Sequence, residues 1–130
     1  MNRKLLRWLP ALLWAGAIFW LSALPHPPTP GPDFPFKDKV GHGMLYCVFG
    51  WLLAYGLRRG QNLSLPKSVI LAILIASAYG ASDEFHQQFV PNRTCDVFDW
   101  TADTLGASAA AAAFYVYESR RSAKANRQAA

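Results

Sequence analysis

The seventeen residues from Trp8 to Leu24, WLPALLWAGAIFWLSAL, carry no charge, and this run most narrows what the chain can become. As a helix it measures about 25 Å, close to the hydrocarbon thickness of a bilayer. Further apolar runs cover 40–57, 68–82 and 97–117, the third able to continue as a helix to the polar residues beyond it. The spacing predicts an all-α fold, a polytopic membrane four-helix bundle with spans at 8–24, 40–57, 68–86 and 97–117. One domain would take in 1–130, with 118–130 a basic, frayed cytoplasmic tail. Pro10 would sit in the first turn of the first helix and Pro25 would end it. His26 to Lys37, HPPTPGPDFPFK, is too rich in proline for a helix and reads as an extended linker.

Two other architectures fit less well. A cleaved signal peptide would explain Arg3, Lys4 and Arg7 ahead of the first run, but that run is long and holds three tryptophans. A soluble four-helix bundle would make the charge distribution a coincidence. Arg3, Lys4, Arg7, Arg58, Arg59, Lys67, Arg120, Arg121, Lys124 and Arg127 would fall on one side of four spans. Only Lys37, Lys39 and Arg93 would fall on the other. The positive-inside rule then places both termini in the cytoplasm and the two acidic loops outside. The net charge of +5 is thus divided among apolar runs, not gathered on one surface as nucleic-acid binding requires. Cys47 and Cys95 should lie at different depths, which argues against a disulfide between them.

The chemistry-bearing residues gather at the outer ends of three helices. Asp38 and His42 share a face of the second, with Tyr46 continuing it inward. Tyr79, Asp83 and either His86 or Gln87 align on the third, and Asp96, Asp99 and Asp103 form a stripe on the fourth. Asp96 and Asp99 also suit a helix N-cap and first turn, and Pro91-Asn92 suits a turn. Asp103 lies about 10 Å further along its helix than Asp96. A charge at that depth costs roughly 2.5–3.5 kcal/mol, so it needs a partner, water or a proton. Arg93, Lys39 and His42 are the candidates. Ala102, Gly106 and Ala110 repeat every fourth residue, which permits close helix approach, whereas Ala109 to Ala113 reads simply as a smooth helix face. Phe85 and Phe89 suit an interfacial apolar face.

Together these residues resemble the VanZ-like family of small bacterial membrane proteins. The resemblance is carried by Leu21-Ser22 before the prolines, by Asp38-Lys39-Val40-Gly41-His42, and by the string from Asp83-Glu84-Phe85-His86-Gln87 to Val90-Pro91-Asn92-Arg93. It continues through Asp96, Asp99, Asp103 and Gly106. Asn92 stands where a glycine is common in the family, and Asp103 where an asparagine is frequent. The resemblance implies a bacterial cytoplasmic-membrane protein with its motif loops on the non-cytoplasmic side. It also implies a link to the envelope, since the namesake confers low-level resistance to the glycopeptide teicoplanin.

Two functions follow from the residue types. The first is recognition of an envelope lipid or a lipid-linked, cell-wall-related headgroup. Lys39 and Arg93 would meet a phosphate or carboxylate, and Asp38, Glu84, Gln87, Asp96 and Asp99 would bond hydroxyls or amides. The second is an enzyme acting on a lipid-linked substrate, with His42, Asp83, His86 and Asp103 as the catalytic candidates and a histidine as general base. No nucleophile-elbow motif supports covalent catalysis by serine or cysteine. Histidines and carboxylates supply metal-ligand types, but no His-Glu-x-x-His spacing appears, so no metal and no cofactor is assigned. The oligomeric state is not legible.

Overall fold

The computed structural model describes residues 3–28 and 31–129, and within them every regular element is helical. Four α-helices, α1 (Arg3–Ser22), α2 (Lys37–Tyr55), α3 (Leu65–Gln87) and α4 (Val97–Ala129), run alternately up and down. A π-helical turn, Gly56–Gly60, extends α2. The segments Lys4–Ser22, Lys37–Gly60 and Leu65–Gln87 are long and apolar enough to cross a membrane; α4, interrupted by its aspartates and basic end, is not. Thr29 and Pro30 of the proline-rich linker lie outside the described residues, and its described part forms no helix before Lys37.

Helix α1 starts five residues earlier than the uncharged run suggests, so Pro10 lies inside it and not in its first turn. Its missing N–H leaves the carbonyl of Leu6 without the usual partner, a defect that membrane helices tolerate. At the other end the ladder tightens, with Leu24 N–H donating to Leu21 O, before Pro25. In the basic tail, expected to be frayed, α4 continues as helix to Ala129. Straight-chain and alanine residues there favour helix even without packing.

Small residues set how closely the helices approach. On α3, Ser68, Ala72, Ala76 and Gly80 form one buried stripe. Between the parallel pair α2 and α4, a Cβ on Gly50 would come 2.6 Å from Ala107 O, and one on Gly106 would collide with the carbonyl of Gly43. Only glycine permits that spacing, the close backbone contact that membrane helices use in place of large apolar cores. Of the alanine tract, Ala110 and Ala111 are buried with Ala107 and Phe114, while Ala109, Ala112 and Ala113 face outward. The outer surface is strongly apolar: Leu13, Leu74 and Leu105 are each about 60% exposed or more. An apolar surface of that extent needs a nonaqueous neighbour.

One end of the bundle is basic and tied by polar links. Arg59 Nη2 lies 2.8 Å from both carboxylate oxygens of Glu118, and Arg121 Nη1 lies 3.4 Å from the same group. Arg7 donates to the carbonyl of Arg59. Trp8 packs on Gly56 and Gly60 of the π turn, where a Cβ would meet the indole ring. The opposite end carries the acidic residues.

Candidate functional site

At the acidic end, the stripes expected on α2, α3 and α4 face one another. Lys39 is the hub. Its Nζ lies 2.9 Å from Asp38 Oδ2, 2.8 Å from Asp96 Oδ2 and 2.7 Å from Asp99 Oδ1. Three carboxylates therefore surround the ammonium, which holds the start of α4 against α2. The ammonium also keeps the Asp96 carboxyl below the ordinary aspartate range. Asp96 caps α4 as well, its Oδ1 accepting from Phe98 N–H at 2.8 Å. Glu84 reaches across from α3 and accepts from Asp96 N–H at 2.8 Å.

One turn deeper, His42 Nδ1 lies 3.0 Å from Asp103 Oδ1 and its Nε2 lies 4.0 Å from Asp99 Oδ2. Asp103 is wholly buried and Glu84 is 3% exposed. Gly80 makes room for Asp103: a Cβ there would sit 3.0 Å from Asp103 Oδ2. Below this layer, Tyr46, Phe49 and Tyr79 pack edge-on or tilted with centroids 5.2–6.5 Å apart. Tyr79 is anchored by donating to Ala15 O at 2.7 Å. These rings separate the polar groups from the apolar middle of the bundle.

On the α1 side of this layer lies a cavity of about 580 Å³. Its lining combines apolar Ile18, Leu21, Phe34, Met44 and Leu45 with polar Asp38, His42, Asp83, Gln87, Arg93 and Asp99. Arg93 donates through Nε and Nη2 to Gln87 Oε1, at 3.2 and 2.5 Å, and Gln87 donates to Asp83 Oδ2 at 3.2 Å. Among the described residues no carboxylate forms an ion pair with Arg93. Lys37 also lines the cavity, with its Nζ 3.1 Å from Asp33 Oδ1, so Arg93 is the lining cation that meets an amide and not a carboxylate.

Of the residues singled out from the sequence, Lys39, Asp96 and Asp99 join one network, His42 and Asp103 a second, and Asp83, Gln87 and Arg93 a third. Glu84 and Asp103 lie behind the cavity wall. His86 departs from the group: its ring packs on Phe19 at 4.9 Å and does not line the cavity. Helical spacing left His86 and Gln87 equivalent, and the rotation of α3 selects Gln87. Ser22, buried on the cavity wall, enters the sequence reading only through the Leu21-Ser22 motif and not as a site residue, because a serine near a helix end is commonplace. His42, Glu84 and Asp103 also offer one metal-ligand atom each within 4.8 Å of one another. No sequence spacing could reveal that set, since its members come from three different helices.

The family model for VanZ/LLP1 matches residues 7–118, which contain all three networks and the cavity. The chain belongs to the VanZ/LLP1 family. A relative within the curated proteins, "Uncharacterized protein C11E3.10" of Schizosaccharomyces pombe, is 33% identical over 98 residues. The match covers 72% of this VanZ/LLP1 chain and 56% of the yeast protein, so the chain spans little more than half of that relative. No solved structure matches.

Proposed function

We propose that this VanZ/LLP1 protein crosses the cytoplasmic membrane four times and holds an anionic, lipid-anchored headgroup in the cavity beside Arg93. Both termini face the cytoplasm, and the loop from Gln88 to Asp96 lies outside. The basic residues supply the orientation, ten against three. The fourth crossing is supported by packing: α4 lies along the bundle from Asp99 at the acidic end to Glu118 beside Arg59 at the basic end. Its aspartates lower its hydropathy but are turned inward, where protein partners receive them.

The observation that carries the ligand class is the mixed lining of the cavity, apolar residues together with a guanidinium. The apolar lining residues fit an acyl or prenyl chain, while the Arg93 guanidinium fits a phosphate or carboxylate. Among the described residues, Lys39 is engaged by three carboxylates and Lys37 by Asp33, whereas Arg93 meets only the Gln87 amide, which favours Arg93 for anion contact. A lipid-linked cell-wall precursor has this chemistry, and a glycopeptide-related phenotype would run through such a ligand.

Detergent-purified protein titrated with polyprenyl phosphate, uncharged polyprenol and inorganic phosphate tests the reading. Polyprenyl phosphate should bind at least about tenfold more tightly than either fragment, and Arg93→Ala should cost about tenfold or more. Equal binding of polyprenol, or an Arg93→Ala variant that binds like the parent, would overturn it.

One observation favours catalysis as a second reading. His42 reaches the cavity while its other side is held 3.0 Å from Asp103, the arrangement of a general base and the carboxylate that orients it. In that case His42→Gln abolishes turnover of a lipid-linked substrate while headgroup binding persists.

A further inference from the structure

We propose that His42, Glu84 and Asp103 form a site for one divalent metal ion of the zinc class, joining α2, α3 and α4 behind the cavity wall. The ligand types are one imidazole and two carboxylates, a donor set suited to a borderline cation. Their ligand atoms lie within 4.8 Å of one another. Metal bonds of about 2.0–2.2 Å place ligand atoms roughly 3–4 Å apart, so small side-chain rotations close the set.

Two further observations point to a cation at this place. Glu84 Oε1 and Asp103 Oδ2 are fully buried oxygens with no hydrogen-bond donor. A carboxylate oxygen in that state is strongly disfavoured unless positive charge or a proton reaches it. The second is the charge balance. Asp83, Glu84, Asp99 and Asp103 are all buried. Among the described residues, Lys39 pairs with Asp99 and Arg93 is held by Gln87, while His42, neutral as a metal ligand, leaves Asp103 without a cation. No cation within ion-pairing distance serves Asp83 or Glu84, so a doubly charged ion between Glu84 and Asp103 corrects the excess. The site stands independently of the headgroup reading, because it needs neither Arg93 nor a lipid.

The test is metal content and affinity of the full chain purified in detergent, using Zn²⁺, and Co²⁺ as a spectroscopic probe. Exposed Cys47 and Cys95 would compete for either ion, so both are first replaced by serine. One Zn²⁺ per chain is expected, with a Co²⁺ visible spectrum free of thiolate bands and a rise in thermal midpoint on adding Zn²⁺. Glu84→Gln and Asp103→Asn preserve shape and should each weaken binding by about 100-fold or more, beyond the usual effect of an outer-shell change. Failure of the folded cysteine-free protein to bind Zn²⁺ or Co²⁺ would overturn the proposal. So would binding that neither variant weakens, which places the ion elsewhere. Loss of polyprenyl phosphate binding with metal binding intact would bear only on the headgroup reading.

Discussion

His42 Nδ1 lies 3.0 Å from Asp103 Oδ1, and this contact fastens α2 to α4 one turn below the Lys39 hub. The histidine is partly open to the cavity; the aspartate is not exposed at all. Removing the two partners should therefore have unequal consequences. Asp103→Ala leaves a half-buried imidazole without its acceptor and opens a void beside Gly80, a loss of about 3 kcal/mol. In metal-free protein, Asp103→Asn keeps an acceptor at the same place and should lose about 1 kcal/mol or less. Thermal unfolding in detergent, read by near-ultraviolet circular dichroism, would separate the two variants. An Asp103→Ala midpoint equal to that of the parent would mean that the contact carries no stability.

The depth of Asp103 is set by glycine, which gives the second prediction. Gly106→Ala forces a methyl into the carbonyl of Gly43 and should push α2 from α4, lowering stability by about 2 kcal/mol or more. Gly16→Ala is the control, because nothing lies within 4 Å of a Cβ there. Being exposed on α1, it should be neutral or gain up to about 1 kcal/mol from helix propensity. Expression level and thermal midpoint compared side by side would check the contrast.

This dependence on glycine explains what the sequence could and could not reveal. The three polar stripes were legible because helical periodicity alone puts Asp38 with His42, and Asp96 with Asp99 and Asp103, on common faces. Periodicity does not fix which faces meet or how near. Lys39 read equally well as a headgroup contact; only the close approach of α2 to α4 shows three carboxylates gathered on it. Glu118 read as the start of a tail because its neighbours are charged, yet it is buried against Arg59. Arg59 and Glu118 are 59 residues apart, and no local pattern encodes such a pair. The stripe Ser68, Ala72, Ala76, Gly80 was available as a small-residue repeat, but polar Ser68 and the apolar residues around it masked it.

The Lys39 hub predicts a pH dependence. Its ammonium lowers the Asp96 carboxyl below the ordinary value of 3.8, so the folded state prefers that group ionised more than the unfolded chain does. The stability from this link is fully present above that value and is lost as pH falls through the depressed range. Lys39→Gln should therefore have a lower midpoint than the parent at pH 7, with Asp38, Asp96 and Asp99 left facing one another. The gap should close on acidification below about pH 4, as the carboxylates of the variant take up protons and the parent loses its link. A gap that widened in acid would contradict the assignment of Lys39 as the charge partner.

The orientation proposed here can be read from the cysteines already present. Cys95 is exposed in the loop before α4, beside the acidic end, whereas Cys47 is exposed on the middle of α2, where an outward side chain meets lipid. A membrane-impermeant maleimide added to intact cells, with the outer membrane permeabilised where there is one, should modify Cys95 and spare Cys47. Gln61→Cys in a cysteine-free background adds the opposite face: Gln61 is exposed in the turn next to Arg58 and Arg59. That variant should react only after the cytoplasmic membrane is opened. The reverse pattern would turn the bundle over, placing the Arg93 cavity towards the cytoplasm and removing extracytoplasmic headgroups from its reach. Labelling of both loops from outside would deny α3 its crossing and with it the four-span bundle, because Gln61 and Cys95 are separated by α3 alone and share a side only if α3 fails to span.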